Sequence, residues 1–163
     1  MVSIIEVTDK AQLRRFVDYP NELYKDVPQF VPATYGDDLS DWDRSKNPAF
    51  EYCDARCWLA MRDGEIVGRI GAIHSRKAND KWGANRLRFT QVDFIDDPEV
   101  SSALFRTVEA WAKELDCTAV HGPSASPTWT ARVCWWRALT AAAAFSHTTT
   151  IPTTSTTWPP WAM

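Results

Sequence analysis

The side chains able to do chemistry are few and widely spaced. Cys53 and Cys57 stand four residues apart, and Cys117, His74 and His121 lie far from them in the chain. A structural zinc site brings two close ligand pairs, whereas one loose pair is present, so reduced thiols and no metal are expected. Arg86 and Arg88 beside Phe89 offer phosphate or nucleic acid a contact, although alternating charge on a half-exposed strand is the commoner reading. Asp93 is a candidate general base, with an exposed sheet aspartate as the ordinary alternative. The pattern contains no Ser-His-Asp arrangement, phosphate-cradling glycine loop or paired carboxylates. A formal net charge of −3 supplies no electrostatic footprint for nucleic acid.

These residues need a scaffold, and residues 1–123 supply one. Ser3 to Val7 reads as a strand. Thr8 or Asp9 then caps a helix with Leu13, Phe16 and Val17 inward, which Tyr19-Pro20 ends or kinks. Residues 20–50 carry four prolines and read as short helical turns over a core. Arg56 to Arg62 is a strand, Asp63-Gly64 a type I′ hairpin turn, and Glu65 to Ser75 the returning strand. A polar loop from Arg76 to Asn85 leads to a strand from Leu87 to Ile95. Asp97-Pro98-Glu99 starts a helix with cap, proline and first-turn acid, and its inward stripe is Val100, Leu104, Val108, Trp111 and Leu115. Trp58 and Trp111 suit core positions. Thr118 to Val120 closes the series as a strand parallel to the one before the helix, giving a mixed α/β (α+β) sheet.

The composition breaks at Pro123. All 21 acidic residues precede it, while 124–163 hold ten Thr, eight Ala and five Trp, with no Asp, Glu, Lys, Gly, Asn, Gln or Tyr. A Thr/Ser/Pro-rich linker is one reading, but disordered linkers are poor in aromatics. A reading frame displaced by one base is another. Because Trp is always TGG, the restored codon across Trp129-Thr130 is Asp, across Cys134-Trp135 Leu, across Trp135-Trp136 Val and across Trp161-Ala162 Gly. One compatible text runs P-L-G-F-T-D-M-D-R-E-G-M-L-V-E-G-F-D and contains the acids and glycines that 124–163 lack. Residues 1–123 are therefore expected to be the N-terminal part of a domain, and 124–163 an out-of-frame, unstructured tail. Ala138 to Ala144 within it is too short for a lasting helix. Thr148 to Met163 is expected to be irregular because of Pro152, Pro159 and Pro160. Thr118 to Val120 would then be an open edge favouring self-association.

The element order, with several sequence words, resembles the GNAT-like N-acyltransferases. Tyr24 to Pro32 resembles Y-x-D-P-x-W-V-P, Lys46 to Glu51 resembles K-N-P-F-F-E, and Asp63 to Ile70 resembles D-G-x-x-V-G-R-I. Phe94-Ile95-Asp96-Asp97-Pro98 and His121-Gly122-Pro123 match two further words of a little-characterised bacterial branch. The resemblance implies the acyltransferase fold, incomplete after its fifth strand. It also implies acetyl-CoA or another acyl-CoA as cofactor, and a small-molecule or protein amine as acceptor. In that family the cofactor pyrophosphate rests on amides of a glycine-rich turn opening the helix after the fourth strand. Aligned on Leu104, the two glycines are replaced by Glu99 and Ser101, leaving the amides of Ser101, Ser102 and Ala103 as the remaining cofactor-binding candidates. Three carboxylates and a proline at this turn oppose an anion. Two functions follow as alternatives: an N-acyltransferase inactive in this chain, or a non-catalytic binding or regulatory module on a degenerate acyltransferase fold. The start Met1-Val2-Ser3-Ile4-Ile5-Glu6 has no secretory-signal pattern and no run is long enough to cross a membrane, so a cytoplasmic protein is expected.

Overall fold

In a computed structural model the chain is described over residues 1–32 and 35–122 and along the backbone of 150–152. The elements are β1 (Ser3–Glu6), α1 (Lys10–Leu23), α2 (Tyr35–Asp41), a 3-10 turn (Pro48–Glu51), β2 (Cys53–Arg62), β3 (Glu65–Ser75), α3 (Arg76–Trp82), β4 (Arg86–Phe94), α4 (Pro98–Glu114), β5 (Ala119–His121) and β6 (Thr150–Pro152). The strands are neighbours in chain order. Every pairing is antiparallel except β4 with β5, which α4 joins as a crossover. Two apolar layers sandwich the sheet. Val100, Leu104, Val108 and Trp111 of α4 pack with Trp58, Ile70, Leu87 and Val120 on one face. On the other, Phe16 and Val17 of α1 and Trp42 after α2 pack with Cys57, Leu59 and Ile73. The two tryptophans assigned to the core, Trp58 and Trp111, meet edge to face at 5.7 Å.

Local chemistry explains most boundaries. Asp63 and Gly64 have φ of 52° and 88°, the pair of positive values that a type I′ turn requires. Asp9 caps α1 and Gln12 returns the bond, a capping box. Asp97 caps α4 with Pro98 following it.

Four expectations are corrected. The segment from Arg76, expected as a loop, is helical through Trp82. Ser75 accepts from the Ala78 amide to start it, and Gly83, at φ 60°, ends it in the left-handed conformation. Tyr19-Pro20 does not end α1, which runs on to Leu23 with Pro20 inside it. A proline leaves the carbonyl four residues earlier without its helical donor. That carbonyl belongs to Phe16, and Arg69 Nη1 donates to it at 2.6 Å. Finally, Thr150–Pro152, expected to be irregular, pair antiparallel with β5, so the β5 edge carries a partner. The strand expected from Arg56 also starts earlier, at Cys53. The remaining statements about 124–163, Ala138 to Ala144 included, lie outside the described residues.

Candidate functional site

The middle of β4 is irregular. Arg69 of β3 faces Asp93, while Gly71, two residues on, faces Thr90, so β4 carries one extra residue there. Gln91 takes it up with a φ of 48°. Its side-chain oxygen accepts from Trp42 Nε1 at 2.9 Å. Gly71 makes room for that indole: a Cβ at this position would stand 2.7 Å from Trp42 Cη2. Pairing between β4 and β5 runs from Arg86 to Arg88 against Ala119 to His121, and Phe89 to Phe94 continue past it along β3. The bulge therefore lies beyond the β4–β5 ladder.

Asp93 sits beside the bulge, on the face covered by α1. The sequence alternative of an exposed aspartate does not hold, because its side chain is 12% exposed and that of Arg69 6%. Arg69 Nε donates to Asp93 Oδ2 at 2.7 Å, and the Tyr24 hydroxyl donates to Oδ1 at 3.1 Å. The guanidinium also lies over the Phe16 ring at 4.9 Å. Both carboxylate oxygens thus accept a hydrogen bond. These bonds take one acceptor site on each oxygen, and Asp93 serves first as the counter-ion that lets Arg69 be buried. The Tyr19 hydroxyl is buried nearby without a hydrogen-bond partner among the described residues. Burial, followed by the negative charge of Asp93, holds its proton more firmly than an ordinary phenol's.

The second candidate, the turn opening α4, is filled by the chain's own groups. Asp97 Oδ1 accepts from the Glu99 amide at 2.8 Å, and the Val100 amide also bonds this carboxylate. Arg62, at the end of β2, spans two acids at 2.8 Å each, Nη1 to Asp97 and Nη2 to Glu99. The Val2 amide donates to the other Glu99 oxygen at 3.2 Å. The Arg62 hydrogen bond, then the Glu99 amide, hold the Asp97 carboxyl below its ordinary range. Of the sequence candidates, the Ser101 amide donates to Asp97 O at 3.2 Å as part of the helix, and its hydroxyl donates to Pro98 O at 3.2 Å. Ser102 and Ala103 follow inside α4, where amides bond back to earlier carbonyls. With Pro98 lacking a donor, no helix-start amide is left for a diphosphate. The residues present do not fit the nucleotide end of acetyl-CoA.

The remaining candidates are dispersed. Cys53 and Cys57 lie on the same side of β2 roughly 13 Å apart along the strand, too far to share one metal ion. Burial raises the Cys57 thiol well above its usual range. Cys117 is held up by burial and by Asp116, and its Sγ contacts Asn85. Among the described residues no group of three His, Cys, Asp or Glu could hold a metal ion. His74 Nε2 contacts Asn85 and Asn79. Arg88 stacks on Trp82 at 5.0 Å. His121, in register with Arg88, is 5% exposed with neither ring nitrogen partnered among the described residues. Burial, then Arg88 and Arg86, push its pKa down to about 4.

Sequence reasoning missed Arg62, Arg69, Tyr24 and Gln91. Arg69 did leave a signal: it is a lone charge at an inward position of the apolar run from Ile66 to Ile73. Such a residue is buried only with a partner.

Comparison with known proteins agrees with this architecture. No family model matches the chain. It is 33% identical over 115 residues to "Protein YghO" of Escherichia coli strain K12, covering 71% of this chain and 29% of that protein. It is 30% identical over 123 residues to a "Bacterial ceramide synthase" of Caulobacter vibrioides, covering 75% of this chain and 32% of that one. The chain thus spans less than a third of the length of either relative. Among solved structures, a "Tandem GNAT protein from the clavulanic acid biosynthesis pathway (without AcCoA)" matches with a TM-score of 0.60 at 16% identity, over 81% of this chain and 40% of that one. A "predicted acetyltransferase with acetyl-CoA" from Clostridium acetobutylicum matches with a TM-score of 0.53 at 10% identity, over 77% and 82%. The fold is that of the GNAT acetyltransferases, and the chain is similar in sequence to part of the Escherichia coli and Caulobacter vibrioides proteins. Among the described residues no helix is long and apolar enough to cross a membrane.

Proposed function

We propose that this chain carries the N-terminal part of an N-acyltransferase, one that moves an acyl group from a thioester to an amine. The likeness to a bacterial ceramide synthase, 30% identical over 123 residues, carries the reading, because a ceramide is itself an amide of a long-chain amino alcohol. The GNAT fold supports the same reaction class. The reaction forms a C–N bond and breaks the C–S bond; the ammonium gives up two protons, one to solvent before the amine attacks and one to the departing thiolate. The β4 bulge, lying past the β4–β5 ladder and lined by Gln91 and Trp42, is where the fold supports an acyl group reaching the sheet. The acceptor we favour is a long-chain amino alcohol. The chain and the protein with its frame restored after codon 123 are each tested with an acyl thioester and a panel of amines, namely a long-chain amino alcohol, an amino acid and a lysine peptide. Amide product is read by mass spectrometry, and none above the protein-free blank from either protein with any amine overturns the reading.

A second reading, a non-catalytic module on the same fold, has one specific observation behind it. The acids Asp97 and Glu99 occupy the turn that the family uses for its cofactor. Residues 124–163 we take to be out of frame, from their composition alone. Nucleotide sequence around codon 123 decides this, and an uninterrupted frame through codon 163 conserved between isolates of the source strain would overturn it.

A further inference from the structure

The turn between β4 and α4 is charged and already satisfied. Asp97 occupies the Glu99 and Val100 amides, and Pro98 has none to give. Both terminal nitrogens of Arg62, the cation placed there, are bound to Asp97 and Glu99 at 2.8 Å. Asp96 adds a third, exposed carboxylate. Around this helix start three negative charges thus stand against one positive charge, and every first-turn donor is used. An incoming diphosphate would have to displace two ion pairs and a helix cap, then sit among acids.

Resting on the N-acyl-transfer reading, we propose that the nucleotide half of the acyl donor makes no contact with α4, so the chain takes acyl thioesters by the pantetheine arm alone. It therefore discriminates little between acyl-CoA and the corresponding acyl-pantetheine. The Arg62–Asp97–Glu99 clamp takes the place of the ligand: it ties the end of β2, and the Val2 amide ahead of β1, to the start of α4.

Inorganic pyrophosphate and CoA are titrated into the isotope-labelled 163-residue chain while the backbone amides of Glu99, Val100 and Ser101 are followed. No saturable shift up to a Kd of about 1 mM is expected. The double variant Asp97→Ser/Glu99→Gln keeps an N-cap oxygen but removes both charges and releases Arg62. Pyrophosphate affinity should rise at least ~10-fold, with a salt dependence, in that variant. If it is not folded by its amide spectrum, Glu99→Gln alone is used, at an exposed side chain, and a smaller gain of the same sign is expected. Saturable wild-type shifts at those amides below about 1 mM overturn the proposal, and so does a folded variant with no gain. In the transfer assay, acyl-pantetheine should be used within about threefold of acyl-CoA at equal concentration, where a conventional diphosphate site would separate them by far more. A large preference for acyl-CoA also overturns the proposal. If neither thioester acylates any amine, it is the transfer reading that falls, while the amide shifts still decide whether the clamp excludes the anion.

Discussion

Replacing Asp93 by leucine tests the best-defined feature of the candidate site. The substitution keeps the branched shape, with two methyls bulkier than the two oxygens they replace, and leaves Arg69 without its counter-ion inside the protein, with its side chain 6% exposed. Breaking a buried pair from one side costs about 3–5 kcal/mol, because the remaining charge has no counter-ion. A domain of this size has roughly 5–15 kcal/mol in total, so the variant should be folded but marginal. Removing the second charge as well, Arg69→Met/Asp93→Leu, should recover part of the loss. The recovery is incomplete, since Phe16 O then loses the donor that Pro20 cannot supply. An unsatisfied buried carbonyl costs about 1–3 kcal/mol. Adding Pro20→Ala returns a helical N–H to that carbonyl and should recover a further ~1 kcal/mol. Urea unfolding followed by the emission of Trp42, Trp58 and Trp111, all buried, measures each step. If folding of Asp93→Leu is too weak, Asp93→Asn, which keeps the shape and loses the charge, gives the first step at about half the cost. A single variant costing under about 1 kcal/mol would refute the reasoning: Asp93 would then not be the partner that keeps Arg69 buried, and its role as a free base would reopen.

Other outcomes follow from the same contacts. Gly71→Ala pushes a methyl toward Trp42, 2.7 Å from its Cη2, and should cost about 1–3 kcal/mol with a change in Trp emission; a silent variant would mean that the indole does not lie over Gly71. Leu104→Ala, at 0% exposure on α4, should cost about 2–5 kcal/mol by urea unfolding, and a smaller loss would place α4 off the sheet. His121 titrates near 4 in the folded chain and near 6.5 when exposed, so the unfolded chain binds the extra proton between those values. Stability should therefore be fully present above pH 6.5 and fall as pH drops toward 4, by at most ~3 kcal/mol and about half that with residual solvation. A wild-type profile parallel to that of His121→Phe across this window would show that the imidazole is not buried.

Much of the scaffold was legible because its signals are local. The Asp63-Gly64 turn, the Asp97-Pro98 helix start and the α4 stripe each depend on neighbours in the chain, and each stands where the residues placed it. α3 was illegible because it buries no residue, so no apolar stripe marks it; a serine cap and a left-handed glycine define it instead. Pro20 misled for a different reason. The rule that proline stops a helix assumes that the orphaned carbonyl has no other donor, and here the donor comes from 53 residues further along, at Arg69. Asp93 was correctly singled out, but its partners lie 24 and 69 residues away, and no spacing rule joins them. The Gln91 bulge had no signal at all, since glycine or asparagine is the usual mark of a positive φ.

Both arginines that sequence reasoning missed have the same consequence for function. Asp93 is neutralised by Arg69 across β3, and Asp97 and Glu99 by Arg62 from the end of β2. Arg62 places both terminal nitrogens on carboxylates, and Arg69 gives Nε to a carboxylate and Nη1 to a carbonyl, so the charge of each is already engaged. The carboxyl end of β4, where an anionic donor would be expected to meet basic residues, is thus closed as a source of charge-based recognition. What remains there is neutral: the β4 backbone around Gln91, the Trp42 indole, and the Tyr19 and Tyr24 rings. A neutral, partly aromatic surface selects for uncharged chain and amide groups over phosphate, because desolvating a phosphate beside acids whose cations are already engaged has no compensating contact. Pantetheine has that composition, and so does the aliphatic part of a long-chain amine.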